Sequence, residues 1–84
     1  MKTISLTRGL VALVDDEDFE WLSQFKWSVT NKGYARSAVP HPTIPGKDVT
    51  LLMHRMILGL EHGDRREGEH WDLNKLNNQR DNLR

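Results

Sequence analysis

The 84 residues carry twelve Lys plus Arg against twelve Asp plus Glu, and no cysteine. The missing cysteines exclude a disulfide framework and a thiolate metal site, and the length allows one domain, residues 1–84, near the smallest size that folds on its own core. Zero net charge removes the basic excess that gives a small DNA-holding domain most of its affinity.

Taken in chain order, residues 4–7 alternate apolar and polar and predict a short strand. Arg8-Gly9 makes a turn, and residues 11–14 read as the hairpin partner or a buried continuation. The acidic run at residues 15–18 then predicts a helix start. Asp15 or Asp16 serves as cap, and carboxylates in the first turn complement the helix dipole. Behind it, Phe19, Leu22 and Lys26 share one stripe and Trp21 and Phe25 the next, which predicts an amphipathic helix over residues 16–25.

Residues 27–30 resume strand alternation, Asn31-Lys32-Gly33 forms the turn, and residues 34–39 return. Pro40, Pro42 and Pro45 make residues 40–46 a loop, because proline fixes φ and removes a donor. Residues 49–52 predict another strand, and residues 54–58 a short helix ended by Gly59. Residues 61–68 form a polar turn. Beyond them the last thirteen residues hold Asn74, Asn77, Asn78 and Asn82. Asparagine is poor in helices and strands but closes Asx turns, so this stretch reads as a loop pinned by its own side chains.

No apolar run is long enough to cross a bilayer, and the N-terminus does not read as a signal peptide. The expected location is the cytoplasm, with no membrane partner.

From Glu69-His70-Trp71-Asp72-Leu73-Asn74 through Asn77-Asn78-Gln79-Arg80-Asp81-Asn82-Leu83-Arg84, the chain resembles the first part of the HNH motif of phage-type homing endonucleases. Lys26-Trp27, Gly33-Tyr34-Ala35 and His54-Arg55 match the same proteins, as do residues 4–7 and 12–18, so the likeness covers nearly the whole chain. It implies a ββα-metal site, in which a divalent cation (Mg²⁺ or Mn²⁺) sits against a scissile phosphate. It assigns His70 as general base, Glu69 as metal ligand, and Asn82 as the residue that holds the loop and keeps the base oriented.

Five departures from the family pattern weigh against activity, one of them Trp71 in place of a smaller apolar residue. Glu69 stands where the family has Asp, which moves the carboxylate by one methylene. Leu73 replaces a glycine and is penalised if that position needs φ > 0. Asn77 removes a carboxylate, and the sequence stops at Arg84, before the family's last ligand and closing helix.

The expectation is therefore a catalytically impaired HNH-like protein that acts by binding and needs no cofactor. Its expected partner is a protein such as a host nuclease or CRISPR effector complex, in the manner of an anti-CRISPR inhibitor. The alternatives are an active metal-dependent HNH endonuclease that cuts DNA, and a non-cleaving DNA-binding regulator. Trp71, alone in a polar loop, is either packed beneath it or exposed as an interface anchor. Arg65, Arg66, Arg80 and Arg84 form either a phosphate-contacting patch or a salt-bridged surface with the acids between them.

The expected fold is α+β. A small antiparallel sheet from residues 3–15, 27–39 and 48–53 carries two short helices, with a partial ββα-metal hairpin at one edge. Apolar surface around Leu76 and Leu83 is expected to lie uncovered there, which favours a homodimer or another partner.

Overall fold

The computed structural model describes residues 1–60 and 63–84. Glu61 and His62, the start of the expected polar turn, lie outside them. β1 (Lys2–Ser5) pairs antiparallel with β2 (Val11–Val14), with Ile4 opposite Ala12. α1 (Asp16–Leu22) follows. β3 (Ser28–Val29), β4 (Ala35–Pro40) and β5 (Asp48–Leu52) form a second antiparallel sheet in the order β3-β4-β5. α2 (Met53–Ile57) continues directly from β5. The α+β class is as the sequence predicts, but the strands form two sheets and not one.

The two sheets meet at one side chain. Between β1 and β2 the chain makes a 3-10 turn over Thr7–Gly9, with Arg8 at φ 61. Here the Val29 amide of β3 donates to the Thr7 side-chain oxygen at 3.0 Å.

Two further boundaries differ from expectation. α1 stops at Leu22 rather than running to residue 25. The Ser23 hydroxyl donates to the Phe19 carbonyl at 2.6 Å, and the amides of Gln24 and Phe25 reach carbonyls three residues back, which tightens the chain out of the α-helix. Pro40 belongs to β4, opposite Asp48, at the last pairing position, where a missing donor costs least.

One buried cluster joins both sheets and both helices. It comprises Ile4, Ala12 and Val14, then Leu22, Trp27 and Ala35, then Met53 and Ile57, closed by Leu83. The Trp27 indole inside it donates to the Leu22 carbonyl at 2.7 Å.

Leu83 is a correction. It is buried, and Leu76 packs partly buried on the same cluster. Residues 76–78 run parallel alongside β2: the Leu13 amide donates to the Leu76 carbonyl, and the Asn78 amide to the Leu13 carbonyl, both at 2.7 Å. The apolar edge expected to favour a homodimer is covered by the chain itself.

Candidate functional site

Residues 69–71 and 82–84 run antiparallel. The Glu69 amide donates to the Arg84 carbonyl (3.3 Å), the Arg84 amide to the Glu69 carbonyl (3.1 Å), and the Trp71 amide to the Asn82 carbonyl (2.8 Å). His70 and Leu83 face each other across this ladder. Pairing with a core leucine carries His70 inward, where it is 7% exposed, while the Glu69 side chain stays out in solvent.

The connecting loop is pinned by side chains, as its asparagine content predicts. Asn82 accepts the Asp72 amide on Oδ1 at 3.0 Å, and its Nδ2 donates to Asp72 Oδ1 (2.9 Å) and to the Asn77 carbonyl (2.8 Å). Asn77 donates to the other Asp72 oxygen at 2.9 Å, and the Asn74 amide donates to Asp72 Oδ1 at 2.8 Å. These donors hold the Asp72 carboxyl below the usual carboxylate range, the bond from Asn77 first among them. Asn82 thus closes the loop, while Asp72, singled out by no motif, is the acceptor at its centre.

Leu73 occupies the tip of that loop at φ 64 and is 86% exposed. Leucine here bears the penalty of a left-handed backbone that the sequence reading attached to this position.

Behind the hairpin lies a cluster of three rings. His54 and His70 have centroids 4.7 Å apart, and Tyr34 stacks on His54 at 5.3 Å and lies 6.0 Å from His70. Burial holds His54 well below the usual imidazole value, at about 4, with the neighbouring His70 and Arg55 adding to the effect. Gly68 covers this cluster closely. A Cβ there would lie 2.8 Å from Leu58 Cδ1 and 2.9 Å from the His54 ring, so any side chain would force one of them to shift. Lys75 flanks the cluster, with its ammonium 4.9 Å over the Tyr34 ring and donating to the Lys32 carbonyl at 2.8 Å.

His70 Nε2 lies 2.6 Å from Asn78 Oδ1, and Asn78 is 1% exposed. The ring also borders a cleft of about 300 Å³ with Tyr34, Gly68, Glu69, Leu73 and Lys75. A larger cleft of about 710 Å³ lies beside it, lined by Lys32, His54, Arg55 and Glu67 among others, and shares Tyr34, Gly68 and Glu69. Tyr34, His54, Gly68 and Asn78 were not predicted as site residues. Asn78 carried a faint signal, eight residues after His70 on the return segment. The others meet only through tertiary packing.

These residues do not fit the divalent cation that the resemblance implies. His70 Nε2 is engaged by Asn78, and both Asp72 oxygens are engaged by the loop. Glu69 and His70 gain no third acidic or histidine ligand among the described residues. The one such trio is Asp15, Glu17 and Asp18, on another part of the fold. One carboxylate and one imidazole are a poor shell for a hard cation.

That acidic trio has its cation already. Arg80 places Nε and a terminal nitrogen on Asp18 at 2.9 and 2.7 Å, and its own amide donates to Asp15 at 3.3 Å. Asp15 stands at the N-cap of α1 but makes no side-chain cap bond, because its carboxylate is turned toward Arg80.

The four arginines therefore part company. Arg80 is a structural clamp. Arg66 is paired with Asp64, at 2.6 Å for its shortest contact, and holds that carboxyl down to about 2. Arg84 stacks 3.3 Å over the Trp71 ring, which is itself 64% exposed, so Trp71 lies outside the core. Arg65 is exposed, with no partner among the described residues.

In comparison with known proteins, no family model, no curated protein and no solved structure matches this chain. Among the described residues, no helix is long and apolar enough to cross a membrane.

Proposed function

We propose that the chain is a catalytically impaired HNH-like protein that works by binding. The observation that carries this reading is the ligand set at the hairpin. Glu69 and His70 adjoin without a third ligating side chain among the described residues, and the imidazole spends one of its two nitrogens on Asn78. The neutral charge supports it further, since two of the four candidate phosphate contacts, Arg66 and Arg80, are spent on internal carboxylates. The partner class we assign is a protein, namely a nuclease complex of a host defence system, engaged through the exposed Trp71 and Arg84.

A purified sample incubated with supercoiled plasmid and Mg²⁺ or Mn²⁺ tests the first half of the proposal. The expected result is intact supercoiled DNA, and nicking that His70→Ala abolishes would overturn it. Inhibition of a defence nuclease by the wild type, lost in Trp71→Ala, supports the second half. Tight, steeply salt-dependent binding to duplex DNA alone would replace it with the regulator.

One observation favours the active endonuclease as a second reading. The His70 ring is held on one side and borders a cleft on the other, as a general base must be. On that reading the missing ligand comes from a second subunit or from the substrate.

A further inference from the structure

The geometry points to Asn78 as the positioning residue for His70: its carboxamide oxygen fixes the imidazole as the Nε2–H tautomer and leaves Nδ1 as the lone pair facing the cleft. The argument starts from the contact. Nε2 and Oδ1 are 2.6 Å apart and both residues are buried, so the pair is a real hydrogen bond shielded from water. An amide oxygen has no proton to give. Nε2 must therefore carry one, and a neutral ring then has its lone pair on Nδ1.

Two further observations bear on the pair. Asn78 Nδ2 is the single buried side-chain nitrogen or oxygen without a partner among the described residues, so the carboxamide's one side-chain bond is the one that Oδ1 makes to His70. The Asn78 amide is anchored on the Leu13 carbonyl of β2, and that places the side chain from a rigid strand and not from the loop. His70 Nδ1, by contrast, makes no bond among the described residues and is not sealed away, and the ring borders the cleft with Glu69 and Lys75.

The orphaned Nδ2 costs stability, as any buried unsatisfied donor does. That cost falls on the residue that orients the ring. Asn78 is also separate from Asn82, which ties the loop and does not touch the imidazole. The tautomer stands independently of any activity. Only the use of Nδ1 as a proton acceptor rests on the second reading above.

The test is the ring-nitrogen spectrum of ¹⁵N-histidine-labelled protein at a pH where His70 is neutral. For the wild type, His70 should show a protonated Nε2 and an unprotonated Nδ1. Asn78→Ala should shift the ring toward a mixture of tautomers, while Asn78→Asp, which keeps an acceptor oxygen, should keep Nε2 protonated. His54 serves as internal control and should not change tautomer. A wild-type His70 with its proton on Nδ1 overturns the proposal without any variant. So does a folded Asn78→Ala protein whose His70 stays wholly Nε2–H. DNA cleavage, or its absence, leaves this result untouched, so failure of the functional reading and failure of the tautomer assignment are distinguishable.

Discussion

Arg80 grips Asp18 across 62 positions of sequence through two hydrogen bonds of 2.7 and 2.9 Å, and so ties the C-terminal segment to the first turn of α1. Asp18 is buried and receives the Trp21 indole as well. Removing Arg80 leaves a buried carboxylate with one neutral donor. The Arg80 side chain is 49% exposed, so solvent screens the pair. We expect Arg80→Ala to cost on the order of 2 kcal/mol, less than breaking a fully buried pair, as read by urea denaturation at neutral pH. The hydrogen bond from Arg80 is the main reason Asp18 titrates below its usual range. A depressed carboxylate stabilises the fold above its unfolded value near 3.8 and loses that contribution as pH falls through the folded value. The difference between wild type and variant should therefore persist at pH 5 and shrink only below about pH 4.

Leu73 gives a prediction of opposite sign. Its left-handed backbone and solvent-exposed side chain combine strain with no packing return. Leu73→Gly should raise stability by about 1 kcal/mol, the left-handed penalty less the entropy that glycine adds to the unfolded chain. Leu73→Asn should recover part of that gain. A lower denaturation midpoint for Leu73→Gly would show that the leucine makes a contact that offsets the strain.

His54 sets the acid limit. Its unfolded value is 6.5 and its folded value about 4, so the unfolded state binds the proton first and stability falls as pH drops below 6.5. The fall should reach on the order of 3 kcal/mol by pH 4 and then level off, since the folded ring protonates there too. Chemical denaturation between pH 7.5 and 4 reads this directly. His54→Phe keeps a ring against Tyr34 and removes the titration, so its pH profile should lack the fall that His54 causes between pH 6.5 and 4.

The sequence was most informative where chemistry is local. The Asn-rich loop, the Thr30–Tyr34 turn with Gly33 at φ 89, and the alternating strands follow from residue type and spacing. It was least informative where distant segments compete for the same groups. Nothing in the acidic run says that Arg80 will take Asp18, and that pairing turned a candidate phosphate contact into a clamp. Leu83 reads as an uncovered edge until residues 76–78 are seen to lie along β2. The ring cluster had to wait for tertiary structure, because Tyr34, His54 and His70 come from three separate stretches of chain. Asn78 lay in plain view as one asparagine among four, and its burial sets it apart.

The central claim is that the hairpin holds an oriented imidazole without a metal shell. Paramagnetic broadening by Mn²⁺ tests it most directly. In a titration of ¹⁵N-labelled protein, the account predicts no saturable broadening centred on Glu69 and His70, with any weak effect spread over exposed carboxylates and removed by salt. Saturable broadening confined to the Glu69–His70 amides and lost in Glu69→Gln would contradict it, and would restore the metal-dependent nuclease as the better reading.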